Sequence, residues 1–277
     1  MSAADAQPSP ELAAAPDTSL RVTLRHVVRS EWTKLWSLRS TRWSLLLMFI
    51  AQAGLGALIS AITMGNWNTD EATRIGFNAV DLSLGGFHIA QLAIGVLGVL
   101  VITGEYSTGQ IRSSLMAVPK RLPVLWGKII VFAAVVFVLV LVSALVGFFA
   151  SQEIFTEHAV NVTLSAPHAL RAVIGVALYL TLTGVMCIAL GVIIRATAGA
   201  ITLFVALILV LPGIVAILPT NLSNSISPYL PSDAGATVAQ AVQGSNSLAP
   251  WTGFAVFCGY VAILVAIAAT LLVRRDA

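Results

Sequence analysis

The chain has 277 residues, of which 58% are hydrophobic and only 10% charged, with a formal net charge of +3. Soluble domains carry about one-quarter charged residues, so a soluble enzyme or a nucleic-acid-binding module is excluded. Its two cysteines, Cys187 and Cys258, both fall inside apolar runs and form neither a disulfide framework nor a zinc motif.

Residues 1–19 are rich in Ala, Pro and acidic groups and contain no apolar h-region. They predict a disordered tail, with the first span acting as an uncleaved signal-anchor. Residues 20–42 predict an amphipathic helix. At 100° per residue Leu20, Leu24, Val27, Val28, Leu35 and Leu38 share a face, Arg21, Arg25 and Arg29 recur on its flank, and Trp32 and Trp36 border the stripe. Arginine stems that snorkel and tryptophans at headgroup depth suit a helix lying on membrane lipid.

Residues 43–277 then carry six apolar runs, over 43–64, 83–103, 124–150, 169–194, 197–218 and 251–273. Each is about 20 residues or more, enough for a helix to cross about 30 Å of hydrocarbon. The expected fold is an all-α polytopic membrane protein. Its parts are six transmembrane helices, the N-terminal interfacial helix, a cytoplasmic coupling helix, and a long outer loop with short helices before the last span. Six spans put both termini on one side. Of the 15 Lys and Arg, all but Arg74 and Arg171 then fall on that side, which the positive-inside rule makes cytoplasmic. The expected location is the cell membrane.

The cytoplasmic loop 105–123 holds the most informative pattern. Ser107 with Gln110 three residues later reads as a capping box opening a short helix to about Ala117, and Pro119 ends it. Two turns do not stand alone in water, so the loop, with Arg112, Lys120 and Arg121 around it and Leu115 and Met116 available for contact, is positioned either by its own protein or by a partner that docks on it. Gly104 to Gln110 has the glycine spacing of a P-loop, but lacks its Lys and follows a span rather than a strand. No cofactor is expected on this chain. The outer loop 219–250 contains Pro219, Pro228, Pro231 and Pro250, and Ser232 or Asp233 reads as the cap of a short helix over 234–242.

Polar residues within the spans are few. Gln52, His88 and Gln91 are candidates for a translocation path, His88 and Gln91 sharing one helix face. Interhelical hydrogen bonding is the competing reading and the better one for any single residue of this kind. Ala53 with Ala57, and Gly95 with Gly98, allow close helix approach.

The segment Ser30-Glu-Trp-Thr-Lys-Leu-Trp-Ser-Leu-Arg-Ser-Thr41 before the first span, with Glu105-Tyr-Ser-Thr-Gly-Gln-Ile-Arg112 and Pro119-Lys-Arg121 after the second, resembles the permease subunits of ABC type-2 exporters, actinobacterial ones especially. The resemblance runs from about residue 20 to the end. It implies a pre-span helix on the inner interface and docking of Glu105, Gly109, Arg112, Leu115, Met116, Pro119, Lys120 and Arg121 against a separate ABC ATPase subunit that holds ATP and Mg. It also implies a second permease copy or a paired permease, and an outer gate near 219–250. Glu105 would be the fulcrum, or else a solvated helix-end carboxylate. A membrane anchor or sensor for a cytosolic partner, and an intramembrane enzyme, are the competing classes. The second lacks any Gly-x-Ser-x or His-Glu-x-x-His pattern.

Overall fold

The computed structural model describes residues 24–37, 39–67, 76–110 and 121–274. Among them there is no β-strand, and six helices are long and apolar enough to span a membrane. This is a multi-pass membrane protein.

Helix α1 (Leu24–Ser37) precedes α2 (Arg39–Gly65), the first span. The second span is two pieces, α3 (Ala79–Leu84) and α4 (Phe87–Ser107), meeting at Gly85 and Gly86. The third is α5 (Leu122–Phe155), with Pro in its first turn where a missing N–H costs nothing. The fourth is α6 (Ala169–Ile194). The fifth is interrupted: α7 (Thr197–Val205), a π-helical stretch (Ala206–Val210) and α8 (Leu211–Ala216). Two short helices, α9 (Thr220–Ile226) and α10 (Pro231–Ala236), precede the sixth span, α11 (Pro250–Arg274).

The α6 span is the hub. In its most apolar window 78% of residues are buried, against 22% in the fifth span and 28% in the sixth. Without a hydrophobic drive between helices in lipid, close approach must come from small residues. Gly98 of α4 lies on the backbone carbonyl of Gly184 in α6, the Phe204 ring covers Gly95, and Ala53 packs on Gly147. Trp32, Trp36, Trp43 and Trp126 are exposed at the α1 end of the bundle, and Trp251 is exposed at the opposite end. Indole rings favour such headgroup depths.

Several boundaries differ from the sequence reading. Of the helix read over 20–42, residues 24–37 are helical (α1) and the first span is already under way from Arg39; residues 20–23 and 38 lie outside the described residues. The 151–168 connection starts later, because α5 runs on to Phe155. The helix read over 234–242 starts at Pro231, because the proline at the first position presets φ. Leu230, not Ser232 or Asp233, is its N-cap. The tail 1–19 and the docking helix within 111–120 lie outside the described residues.

Candidate functional site

Two sites of unlike chemistry sit at opposite ends of the bundle, and the second span reaches both. At the α1 end, four charges meet. Lys128 Nζ donates to Glu31 Oε2 at 2.6 Å and to Glu105 Oε1 at 2.9 Å. Lys34 Nζ donates to Glu31 Oε1 at 2.7 Å and to Glu105 Oε1 at 3.1 Å. Glu31, Glu105 and Lys128 are all buried, with Lys128 only 3% exposed.

Local structure explains the convergence. Val27, Glu31 and Leu35 fall four residues apart on one stripe of α1, and all three are buried. The stripe packs against α5, whose Gly127 lets the Val27 side chain approach. Lys128 follows that glycine, nearly two turns into the third span, and Glu105 is in the last turn of α4. Two lysines and two carboxylates balance, so the cluster is neutral as a unit. Its parts are not expendable singly: a buried ion left without its partner costs several kcal/mol, even where the intact pair merely breaks even. Burial pulls the Lys34 ammonium down, but hydrogen bonds and charge attraction from Glu31 and Glu105 outweigh it and leave its pKa above the ordinary lysine value. Beside the cluster is a cavity of about 370 Å³, with walls that include Leu35, Leu100, Val101 and Val131. Glu105 lines it, and its Oε2 has no hydrogen-bond partner among the described residues.

This corrects two expectations. Glu105 is not a solvated helix-end carboxylate, because Lys128 and Lys34 neutralise it in a buried site. Glu31 is likewise a buried acid tied to lysines. A capping box at Ser107 is not formed. Ser107 ends α4, and its hydroxyl donates back to the Gly104 carbonyl. Gly109 follows in the left-handed region at φ 70°, where glycine bears no Cβ penalty. Arg121 donates to the carbonyl of Leu272 at 3.2 Å, fastening the start of the third span to the end of the sixth. Nearby, Thr197 donates to Thr103 at 2.9 Å, and the Arg195 guanidinium stands 5.3 Å from the Tyr106 ring centre. Arg112, Leu115, Met116, Pro119 and Lys120 lie outside the described residues.

At the other end is a cavity of about 610 Å³ beneath the segment joining the fifth and sixth spans. Two of the three spans that line it, the second and the fifth, are irregular there. The second tightens at Gly85 and Gly86, where His88 and Ile89 donate to carbonyls three residues back. Gly86 sits directly on the backbone carbonyls of Ala51 and Gln52, and Gly56 sits on that of Ser83. In the fifth span Pro212 brings no N–H, and the backbone widens so that Leu211 donates to the Ala206 carbonyl, five residues back. His88, Gln91, Tyr179, Ile208, Leu209, Pro212 and Asp233 all line the cavity. The Tyr179 hydroxyl donates to Gln91 Oε1 at 2.7 Å, and the His88 ring lies 4.0 Å from that of Phe87.

The cavity's roof is held by backbone contacts. Asp81 accepts from the N–H groups of Ala241 at 2.6 Å and Val242 at 3.1 Å. Arg171 donates to the carbonyls of Gln240 at 2.9 Å and Ala241 at 3.2 Å. A carboxylate and a guanidinium thus grip one short stretch of main chain from its two polar sides.

His88 and Gln91 therefore do share a cavity wall. Gln52 is placed elsewhere: it is fully buried between the first and second spans and donates to the Leu84 carbonyl at 3.4 Å, at the joint in the second span. Asp81, Arg171, Tyr179, Glu31 and Lys128 escaped the sequence reading. The signal for the last two was available, as a lysine inside an apolar run and a glutamate on an apolar stripe. No cluster of His, Cys, Asp and Glu suited to a metal ion occurs among the described residues. No family model matches the chain, and comparison with curated proteins finds no match either.

Proposed function

We propose that the chain is the permease subunit of an ATP-driven exporter in the cell membrane, with the α1 end cytoplasmic and the large cavity outward. The second span carries this reading. One of its ends is locked by Glu105 into a four-charge cluster with α1 and the third span. The other end, past the Gly85–Gly86 joint, forms a wall of the 610 Å³ cavity. Buried ion pairs add little net stability, but they fix geometry. A push on the loop 105–123 would move α1 and the second and third spans together, as a rigid body that changes packing at the far end. A separate ATPase, holding ATP and Mg, would supply that push by docking on the loop. The preponderance of Lys and Arg at the α1 end supports the orientation, and the free face of the sixth span, with Ile263 and Ile267 exposed, leaves surface for a second permease copy. A pure anchor would need neither the cavity nor the joint.

Purification of the tagged chain from its native membranes should bring down an ATPase subunit with Walker motifs. Leu115→Ala with Met116→Ala should lose that subunit while the chain's own yield stays unchanged, since buried side chains at an interface centre cost about 2 kcal/mol or more when truncated. An ATPase retained by the double variant, or absent from the native preparation, rejects the reading.

A further inference from the structure

The charges around the 610 Å³ cavity are one-sided. Among its lining residues Asp233 is the only acid, and no Lys or Arg is present. Arg171 is not among the lining residues, and its Nη2 donates to the Gln240 and Ala241 carbonyls. An anionic headgroup entering the cavity would lose part of its water and meet no Lys or Arg among the lining residues, only polar groups such as Gln91 and Ser232 and the like-charged Asp233. A cationic one would gain the carboxylate of Asp233, an exposed residue in the first turn of α10 whose Oδ1 accepts from the Ser232 hydroxyl at 3.3 Å. Acceptors add to this: Gln91, Ser227 and Ser232 line the same cavity and carry side-chain oxygens able to accept.

The other requirement concerns shape. Ile89 and Leu209 line the cavity yet are 52% and 57% exposed. Both belong to helices that face lipid, so the cavity opens sideways between the second and fifth spans rather than only upward. The two irregular backbone stretches, at Gly85–Gly86 and 206–210, flank that opening, and non-helical backbone at membrane depth is tolerated where it lines a cavity. A side opening admits an alkyl chain lying among lipid tails, while the headgroup reaches Asp233 and Gln91.

We propose that this cavity binds an amphiphile with an ammonium headgroup and an alkyl or other apolar tail. The proposal names a cargo class for the export reading and rests on it in that one respect. Ligand binding itself is measured on the chain alone, so its failure is separate from failure to find an ATPase.

The probe is radiolabelled dodecyltrimethylammonium, added to the purified full chain in nanodiscs of phosphatidylglycerol. Saturable binding is expected, with competition by dodecylamine and none by dodecyl sulfate at equal concentration. Asp233→Asn should weaken binding about fivefold or more, as for loss of a partly desolvated charge contact, and Asp233→Glu should recover most of it. Ile89→Trp should obstruct the side opening and reduce binding, although it touches no charge. Displacement by phosphatidylethanolamine would assign the site to a membrane lipid, and no displacement would assign it to exported cargo; the ammonium chemistry holds in both cases. Equal competition by dodecyl sulfate, or unchanged affinity in a monodisperse Asp233→Asn preparation, overturns the proposal.

Discussion

The two ends of the second span solve opposite problems. At the Glu105 end, four full charges are packed side by side; three of the four hydrogen bonds join side chains from separate elements, and the Lys34–Glu31 bond lies within α1. At the Asp81 end, side chains grip main chain: Asp81 holds two amides, Arg171 holds two carbonyls, and Gln52 serves the Leu84 carbonyl. The first arrangement resists any relative movement of its helices, because separating them strands a buried charge. The second fastens a short, irregular segment above a cavity and leaves helix interiors free to adjust. A rigid end and an adaptable end on one span are what a lever requires.

The largest expected effect breaks the rigid end. Lys128→Met leaves Glu31 and Glu105 buried with Lys34 alone between them, and should cost about 3–5 kcal/mol. The readout is a fall in the thermal midpoint of the detergent-solubilised chain, together with faster proteolysis of α1. Adding Glu31→Leu to the same chain should recover much of the loss, because one acid and one base then remain. A double variant no better than Lys128→Met would mean that packing, not charge balance, holds this end together.

Next in size is the joint. Gly86→Ala places a methyl group against the Ala51 and Gln52 carbonyls, and Gly56→Ala places one against the Ser83 carbonyl. Backbone cannot yield as a side chain does, and overpacking of this kind costs about 1–3 kcal/mol. Gly65→Ala, on the same span but with nothing near it, is the control and should leave the midpoint unchanged. Equal behaviour of all three variants would remove the joint from the comparison.

The adaptable end should give a smaller, local effect. Asp81→Asn keeps one acceptor for the Ala241 and Val242 amides but removes the charge, and should cost about 1–2 kcal/mol. Hydrogen exchange should quicken at residues 240–242, while amides of α1 and of the Lys128 turn remain protected. Acceleration at both ends would show that the two sites unfold as one unit and are not mechanically distinct.

Much of this comparison was legible in the sequence, for reasons that differ by region. The six spans are dictated by length and apolarity, so they emerge from the residues alone. His88 and Gln91 on one helix face follow from periodicity. What escaped is pairing across the chain. Glu31 and Lys128 are 97 residues apart, and each looks like an ordinary flank charge until the other is beside it. Gln52 reads as a path residue because a buried amide has no visible client in one dimension; its client is the Leu84 carbonyl at the joint. The π-helical stretch has a sequence trace only in Pro212, which by itself equally permits a kink.

The smallest effect sharpens the rigid end by pH. Lys34 is the cluster's most exposed member, its side chain 23% accessible, and its pKa stands above the usual 10.5 because the attraction of Glu31 and Glu105 exceeds the cost of burial. A lysine whose folded value is raised stabilises fully below its unfolded value and loses that contribution as pH climbs through the folded one. Lys34→Met should therefore lower stability by no more than about 1 kcal/mol at neutral pH, the scale of a partly exposed pair. The gap between native and variant midpoints should stay constant from about pH 7 to about pH 9, then narrow above the ordinary lysine range as the native ammonium is lost. A gap that widens with alkali would reverse the sign of the interaction. It would mean that Lys34 is tolerated in the cluster rather than held by it, leaving Lys128 alone to fasten the α1 end.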